Sequence, residues 1–383
     1  MKRWDDRRVN TSTAILQDAW MEGYQPCGAR TLKASTVPHP AVSVVVPVFN
    51  MAEKSYLMSL IASLKAQTLS SIEFLLVDDH STDDSLQIML SETAGDCRFA
   101  VISSEENGRQ GAARNKGIDA ARGSYIGFVD GDDVIDPGYF ESLYRAAEGE
   151  SADIAVAPFV ITDEDLNVES PCIWAFSRND ASGDRKSQFG RLILHPAHVV
   201  CSLYSARLFR EGCTRFPEGV FFEDNPTCLR LLCLANKVVP IPLTEEVPRY
   251  YYRQHSSSTD HRTDNLEVQI RDRVATADMA LADAEASGYF YEFEEPIRLY
   301  YLRLCLINTA SKIALLDSCE ASRKRFRELR DYALGKCRIS FKGPVFQGFP
   351  IKDKAIYRLA CQAPGLYVAI LRLRLAAKQG FDK

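Results

Sequence analysis

The sequence predicts an α/β protein, a mostly parallel sheet flanked by helices and followed by a mainly helical C-terminal region. Three observations predict it. Over the first half of the chain, short β-branched or apolar runs alternate with stretches of helical periodicity, the pattern of parallel strands joined by crossover helices. Polar and acidic residues collect directly after those runs, at the carboxyl ends of the expected strands, where ligands of such sheets bind. From about Asp264 onward the periodicity is helical alone. The expected divisions are an extension of irregular, polar sequence at 1–40, a sheet domain at 41–260 and a helical region at 261–383 with a basic tail.

Each element has its own reason. Val42-Ser43-Val44-Val45-Val46 is a short β-branched run stopped by Pro47, which reads as a buried strand. Between Ser55 and Gln67, Leu57, Leu60, Ile61 and Leu64 recur at helical spacing. Glu73–Val77 is a second buried strand, and Asp83 or Asp84 can cap a helix that runs through Ser91. Ala100–Ile102 is a third strand and Gly111–Ala121 a helix, leading through Gly123 into the strand Ser124–Val129. A helix from Phe140 to about Glu148 precedes a strand at Ile154–Phe159. Residues 160–190 read as loop or hairpin, and Val199–Tyr204 and Arg249–Arg253 as strands. The helical region pauses near Gly288 and turns near Gly343 and Pro350. The sequence shows no internal repeat.

Composition narrows the class. Of 383 residues, 46% are apolar and 25% charged, as in a soluble globular protein. No stretch approaches the roughly 20 apolar residues of a spanning helix. The start, Met1-Lys2-Arg3-Trp4-Asp5-Asp6-Arg7-Arg8, does not read as a secretory signal. Eleven cysteines without a C-x-x-C pair point to reduced thiols and a cytoplasmic setting, not to a disulfide framework or a zinc site. Residues 321–383 hold 15 Lys/Arg against 4 Asp/Glu, a net of +11, while the rest of the chain carries −16 for a total of −5. A basic tail on an acidic body suggests a polyanionic contact.

The run Asp130-Gly131-Asp132-Asp133 is the most specific feature. Carboxylates this close repel one another. A hard divalent ion such as Mg²⁺ or Mn²⁺ relieves the repulsion, binding one or two carboxylates plus phosphate oxygens. The alternative is a solvated acidic turn, since turns favour Asp and Gly. Phe49, past a strand end, can lie flat on a planar base or pack in the core. Asp79 is a fixed acceptor for a base N–H or a ribose hydroxyl. Asp78 beside it can anchor the following turn, and Asp83 suits a helix cap. Arg114 and Asn115 open a helix after Gly108 and Gly111, glycines that permit tight turns, and suit either a phosphate or base contact or a structural ion pair. Glu223-Asp224 follows Phe221-Phe222, read as an aromatic strand, and precedes Pro226, a residue suited to the first turn of a helix. Asp224 is therefore a candidate general base or a plain cap. His195 and His198 receive no role.

Taken in order, Pro47-Val48-Phe49-Asn50, Val77–Asp83, Asn107-Gly108 with Gly111–Gly117, Phe128–Asp133 and Phe221–Asp224 resemble the family 2 glycosyltransferases with the GT-A nucleotide-sugar fold, over residues 42 to about 258. The resemblance implies a Rossmann-like nucleotide-sugar domain. It puts Pro47, Phe49, Asn50, Asp79, Arg114, Asp130 and Gly131 at the donor nucleotide, Asp79 on a uracil-type base. Asp132, Asp130 and His255 would hold Mn²⁺ or Mg²⁺, and Asp133, Glu223 and Arg253 would support them or the diphosphate. Asp224 would take the acceptor proton in an inverting transfer of a hexose or N-acetylhexosamine, in bacterial cell-surface polysaccharide synthesis. The implied partners are a nucleotide-sugar donor, most simply a UDP-sugar, and a glycan or lipid-linked acceptor, with no nucleic acid.

Two other classes compete. A catalytically silent scaffold of the same fold would bind glycan or partner enzymes, but the intact Asp130, Asp132 and Asp224 argue against it. A nucleotidyltransferase would want a glycine-rich basic loop after the first strand, and here the loop is Phe49-Asn50-Met51-Ala52-Glu53. A dinucleotide fold is excluded because no G-x-G-x-x-G follows that strand. In the tail, Leu366, Ile370, Leu373 and Ala377 share one helical face beside Arg372, Arg374 and Lys378. Such a helix lies in a membrane interface, on the inner face of the plasma membrane for a cytoplasmic protein, or packs on its own domain.

Overall fold

A computed structural model describes residues 28–53, 55–173, 185–193, 199–241, 247–255, 265–316 and 318–381. The chain divides into two compact units, Ala14–Gln188 with His195–Ser256, and Phe189–Leu194 with Ser257–Lys383.

The first unit is built on an eight-stranded sheet. Its strands are β1 (Ala29–Lys33), β2 (Val42–Val48), β3 (Ile72–Asp78), β4 (Phe99–Ser104), β5 (Tyr125–Phe128), β7 (Ile154–Val156), β10 (Ser202–Ser205) and β11 (Val238–Pro240). The order is β1-β4-β3-β2-β5-β10-β7-β11. Strands β4, β3, β2 and β5 are mutually parallel, as are β7 and β11. β1 and β10 run antiparallel to their neighbours. Every residue of β2 and β3 is buried, which explains their apolar runs. Crossovers are made by α1 (Tyr56–Lys65), α2 (Ser85–Thr93), α3 (Arg109–Ala120) and α4 (Tyr139–Gly149). Helix α1 buries Leu57, Leu60, Ile61 and Leu64, the four residues that predict it.

A smaller sheet holds β6 (Val134–Ile135), β8 (Phe159–Thr162), β9 (Val168–Ile173) and β12 (Tyr250–Arg253), in the order β6-β12-β8-β9. It sits directly after the acidic run, because β6 begins at Val134.

Four expectations need correction. Residues 29–33, expected in an irregular extension, form the edge strand β1. They are mostly exposed and lack apolar alternation, so pairing with β4 alone defines them. The single strand expected at Ile154–Phe159 is two strands in different sheets. Pro158 between them cannot donate to a ladder, and the chain changes sheet there. Within 160–190, expected as loop or hairpin, β8 and β9 do pair as an antiparallel hairpin, but Arg185–Leu192 is a helix, α5, that the expectation lacked. Val199–Cys201 is a 3₁₀ turn, so the strand starts at Ser202. His195, His198 and residues 1–27 lie outside the described residues.

The first unit also holds α6 (Asp224–Leu234), and the second unit takes up the chain again from Ser257. It is helical, with α7 (Leu266–Ala286), α8 (Glu294–Leu302), a π-helical stretch at Arg303–Asn308, α9 (Thr309–Ala314), α10 (Cys319–Lys336), α11 (Ile351–Gln362) and α12 (Pro364–Phe381). Gly288 takes φ +79° at the expected pause. No helix among the described residues is long and apolar enough to cross a membrane. The cysteines described are free thiols, most of them buried.

Candidate active site

The carboxyl ends of β2 and β3 lie side by side, Val48 opposite Asp78 and Pro47 opposite Val77. Pro47 is buried, and Phe49 turns outward, 46% exposed. Asp79 donates its backbone N–H to the Val48 carbonyl at 2.8 Å, which holds the start of the turn after β3 against the end of β2. The Asp79 side chain is buried. Oδ1 accepts from the Gly108 N–H at 3.1 Å, while Oδ2 has no partner. Burial holds the carboxyl above its ordinary pKa. An acceptor left open at a buried site costs stability unless something fills it. Asn50, at φ +53°, accepts from the Thr82 N–H at 2.8 Å, so its side chain holds the 80–82 turn. Asp78 anchors that turn through the Ser81 N–H, and Asp83 caps the start of α2 through the Ser85 N–H.

The acidic run follows β5 as a turn closed by the Asp133 N–H on the Asp130 carbonyl at 3.2 Å. A side chain at Gly131 would stand 3.0 Å from the Pro47 carbonyl oxygen, so glycine lets the turn press against the end of β2. Asp133 points inward. It accepts from the Tyr250 hydroxyl at 2.6 Å and the Arg253 N–H at 2.8 Å. Burial first, then the Asp132 and Asp130 charges, raise its pKa well above the carboxylate range. Tyr250 also accepts from the Asp130 N–H, so one tyrosine of the small sheet holds both ends of the turn.

Asp132 faces outward, with Oδ2 2.7 Å from His255 Nε2. The His255 and Tyr56 ring centroids lie 5.2 Å apart, and the Arg253 guanidinium lies 4.4 Å over the Tyr56 ring. Arg253 is buried and its Nε has no partner. Among the described residues, no three His, Cys, Asp or Glu side chains converge to hold a metal by themselves. Asp132 and His255 still fit an ion whose other ligands are phosphate and water, since such ions take one or two protein donors.

The third part is a loop laid along α3. Asn115 accepts from the Phe216 N–H and donates to the Phe216 carbonyl and to Glu218 Oε1, at 2.8, 2.9 and 2.8 Å. Gly219 donates to the Gly108 carbonyl, and Arg109 lies 4.2 Å over the Phe221 ring. Gly111 sits inside α3, and its role is close approach rather than a turn, because a Cβ there would stand 2.2 Å from the Pro217 carbonyl oxygen. The aromatic strand expected before Glu223 is absent. Phe222 takes φ +63°, a left-handed turn that delivers Glu223 and Asp224 to the start of α6.

Arg114 joins the parts. Its buried guanidinium pairs with Asp130 Oδ1 at 2.7 Å and with Glu223 Oε1. Burial opposes the cation, but Asp130, Glu223 and Asp224 outweigh it and raise the Arg114 pKa. For Glu223, burial wins over the attraction of Arg114, and with Asp224 alongside its pKa is pushed up to about 7. Asp224, half-buried, is the first residue of α6.

The strand ends, the acidic turn and the start of α6 thus face one another. The family model for glycosyl transferase family 2 matches residues 43–213. EpsH of Bacillus subtilis, named as a glycosyltransferase, is 42% identical over 316 residues, 80% of this chain and 85% of EpsH. The glycosyltransferase GlyG of Streptococcus pneumoniae is 32% identical over 259 residues, 64% of this chain and 81% of GlyG. The chain belongs to glycosyltransferase family 2. Its fold matches that of S. aureus TarS 1–349, solved in complex with UDP-GlcNAc, at a TM-score of 0.58 and 20% identity over 88% of this chain and 92% of TarS 1–349.

In this family 2 glycosyltransferase, sequence reasoning missed Tyr250 and the structural use of Gly111 and Asn115. Tyr250 carried only the signal of an aromatic strand. Asn115 stood in the quoted motif, but its partners lie a hundred residues away. Arg114, expected at the donor nucleotide, is buried between two carboxylates.

Proposed function

We propose that this glycosyltransferase moves a hexose or N-acetylhexosamine from a UDP-sugar, with inversion, to a hydroxyl of a glycan or lipid-linked glycan in cell-surface polysaccharide synthesis. One observation carries the reading. A single buried guanidinium, Arg114, pairs with Asp130 of the acidic turn and with Glu223 next to Asp224. That pairing supports a reading in which the residues expected at the donor diphosphate and the residue expected as base serve one site.

The donor side follows from chemistry. The open Oδ2 of Asp79 suits a uracil N–H, and the exposed Phe49 suits the face of that base. TarS, with the same fold, binds UDP-GlcNAc, which supports the choice of UDP. Asp132 and His255, with Asp130, would hold Mn²⁺ or Mg²⁺. Such an ion, when bound, neutralises charge on the departing diphosphate. Arg253, buried beside the pair, would add a fixed positive charge to the same side.

On the acceptor side, Asp224 takes the hydroxyl proton as that oxygen bonds to C1 of the sugar and the bond from C1 to the diphosphate oxygen breaks. The N-terminus of α6 favours the anionic form that a base needs. Glu223 is already engaged by Arg114, which leaves Asp224 as the carboxylate for this task.

A nucleotide-sugar hydrolysis screen tests the reading, because slow transfer to water reports the donor without knowledge of the acceptor. UDP should be released from a UDP-hexose or UDP-N-acetylhexosamine with Mn²⁺ and not with chelator. Release from GDP-sugars alone, or equal release in chelator, would overturn it.

A further inference from the structure

We propose that α12 is a docking face for an anionic lipid surface. The proposal does not depend on the transfer reaction. It rests on the second unit alone.

Helix α12 is apolar on two opposite sides. One side packs inward. Tyr367 and Val368 are buried, and the Tyr367 ring lies 5.5 Å from Phe326 of α10. Arg372 fastens the helix from its flank, donating to the Ala314 carbonyl and the Ser322 hydroxyl, each at 2.9 Å. At 3.6 residues per turn, Leu366, Ile370, Leu373 and Ala377 fall on the side away from Val368. Leu366 is 56% and Leu373 71% exposed. A surface helix normally presents charged or polar residues there, and a helix apolar all round is a buried one. The expected pair of alternatives, packing on the domain or meeting a membrane, is therefore no choice. One face packs, and among the described residues the other is left exposed at Leu366 and Leu373.

Charge selects the occupant. From Lys354 to Phe381 the chain has Lys354, Arg358, Arg372, Arg374 and Lys378 and no acidic residue. Arg374 is exposed next to Leu373. A second copy of this face would bring like charges together. An anionic headgroup layer would meet the basic flank while Leu366 and Leu373 enter the acyl boundary, the division of labour in interfacial helices. The helix lies on such a surface without crossing it.

The test uses the full chain, vesicles and no donor sugar. Vesicles of phosphatidylcholine with about one-third phosphatidylglycerol should sediment the protein, those of phosphatidylcholine alone should not, and salt should weaken the binding. The L366E/L373E variant changes two exposed positions, so its thermal unfolding should match wild type while vesicle affinity falls at least about tenfold. Arg374→Glu should weaken binding to the anionic vesicles in the same direction. Equal binding to both vesicle types, or full binding by the folded double variant, would overturn the proposal. A wild-type dimer that the double variant converts to monomer would overturn it too, by giving the face to a second copy.

Discussion

Replacing Arg114 by methionine removes the one cation shared by two carboxylates, and the cost depends on pH in a way the structure dictates. Arg114 is 2% and Glu223 5% exposed. Breaking a buried ion pair from one side costs about 3–5 kcal/mol, because the remaining charge is stranded. Glu223 can escape by taking a proton. Its pKa is already pushed up to about 7 from an ordinary 4.5 by burial, against the pull of Arg114. Without Arg114 that pull is gone and the pKa rises further. A carboxyl raised in the folded state holds more protons folded than unfolded. Its contribution is fully present below pH 4.5 and is lost as pH climbs through 7, or higher in the variant. The variant should thus be penalised less at pH 5.5, where only the partly exposed Asp130 loses its partner as an anion, than at pH 8.5, where Glu223 is stranded too and the loss is about 3 kcal/mol. For a unit of this size that is a Tm lower by roughly 6–12 °C. Thermal unfolding followed by circular dichroism at both pH values measures it, with Arg114→Lys as the charge-keeping control. Equal penalties at the two pH values, or a loss under about 1 kcal/mol at pH 8.5, would refute the reasoning.

Three further outcomes follow from the site. Calorimetry should find UDP bound more tightly with Mn²⁺ than with chelator, and Asp132→Ala should erase that difference. Asp79→Asn puts a donor group into the place of an open acceptor, and should weaken UDP about 10- to 100-fold while its Mn²⁺ dependence persists. Gly111→Ala should force the 216–219 loop off α3, where the Pro217 carbonyl leaves no room for a Cβ. About 1–3 kcal/mol of stability should be lost, with transfer reduced more than UDP binding.

The parallel sheet was readable because β2 and β3 are buried on both faces, and such strands must be unbroken apolar runs. Edge strand β1 was not readable, since its exposed residues carry no periodic signal and pairing comes from β4 alone. The break at Pro158 was visible in principle, because a proline inside an apolar run argues against a continuous strand. At the site, carboxylates next to glycine announced themselves locally. What joins them did not, since Arg114 meets Glu223 across 109 residues and Tyr250 meets Asp133 across 117. Local spacing cannot report contacts made by a folded loop. For the tail, the sequence left packing on the domain and a membrane surface open, because helical periodicity shows an apolar face without showing which way it points; the structure shows Tyr367 and Val368 packed inward.

The most direct test of the account is Asp224→Asn, measured for binding and transfer together. The substitution keeps the shape at the start of α6 but cannot take a proton. UDP and Mn²⁺ affinity should stay at wild-type values while transfer to acceptor falls by roughly 10²–10⁴-fold, the worth of a positioned general base. Near-normal transfer by this variant would contradict the assignment of Asp224 as base and move the search to Glu223.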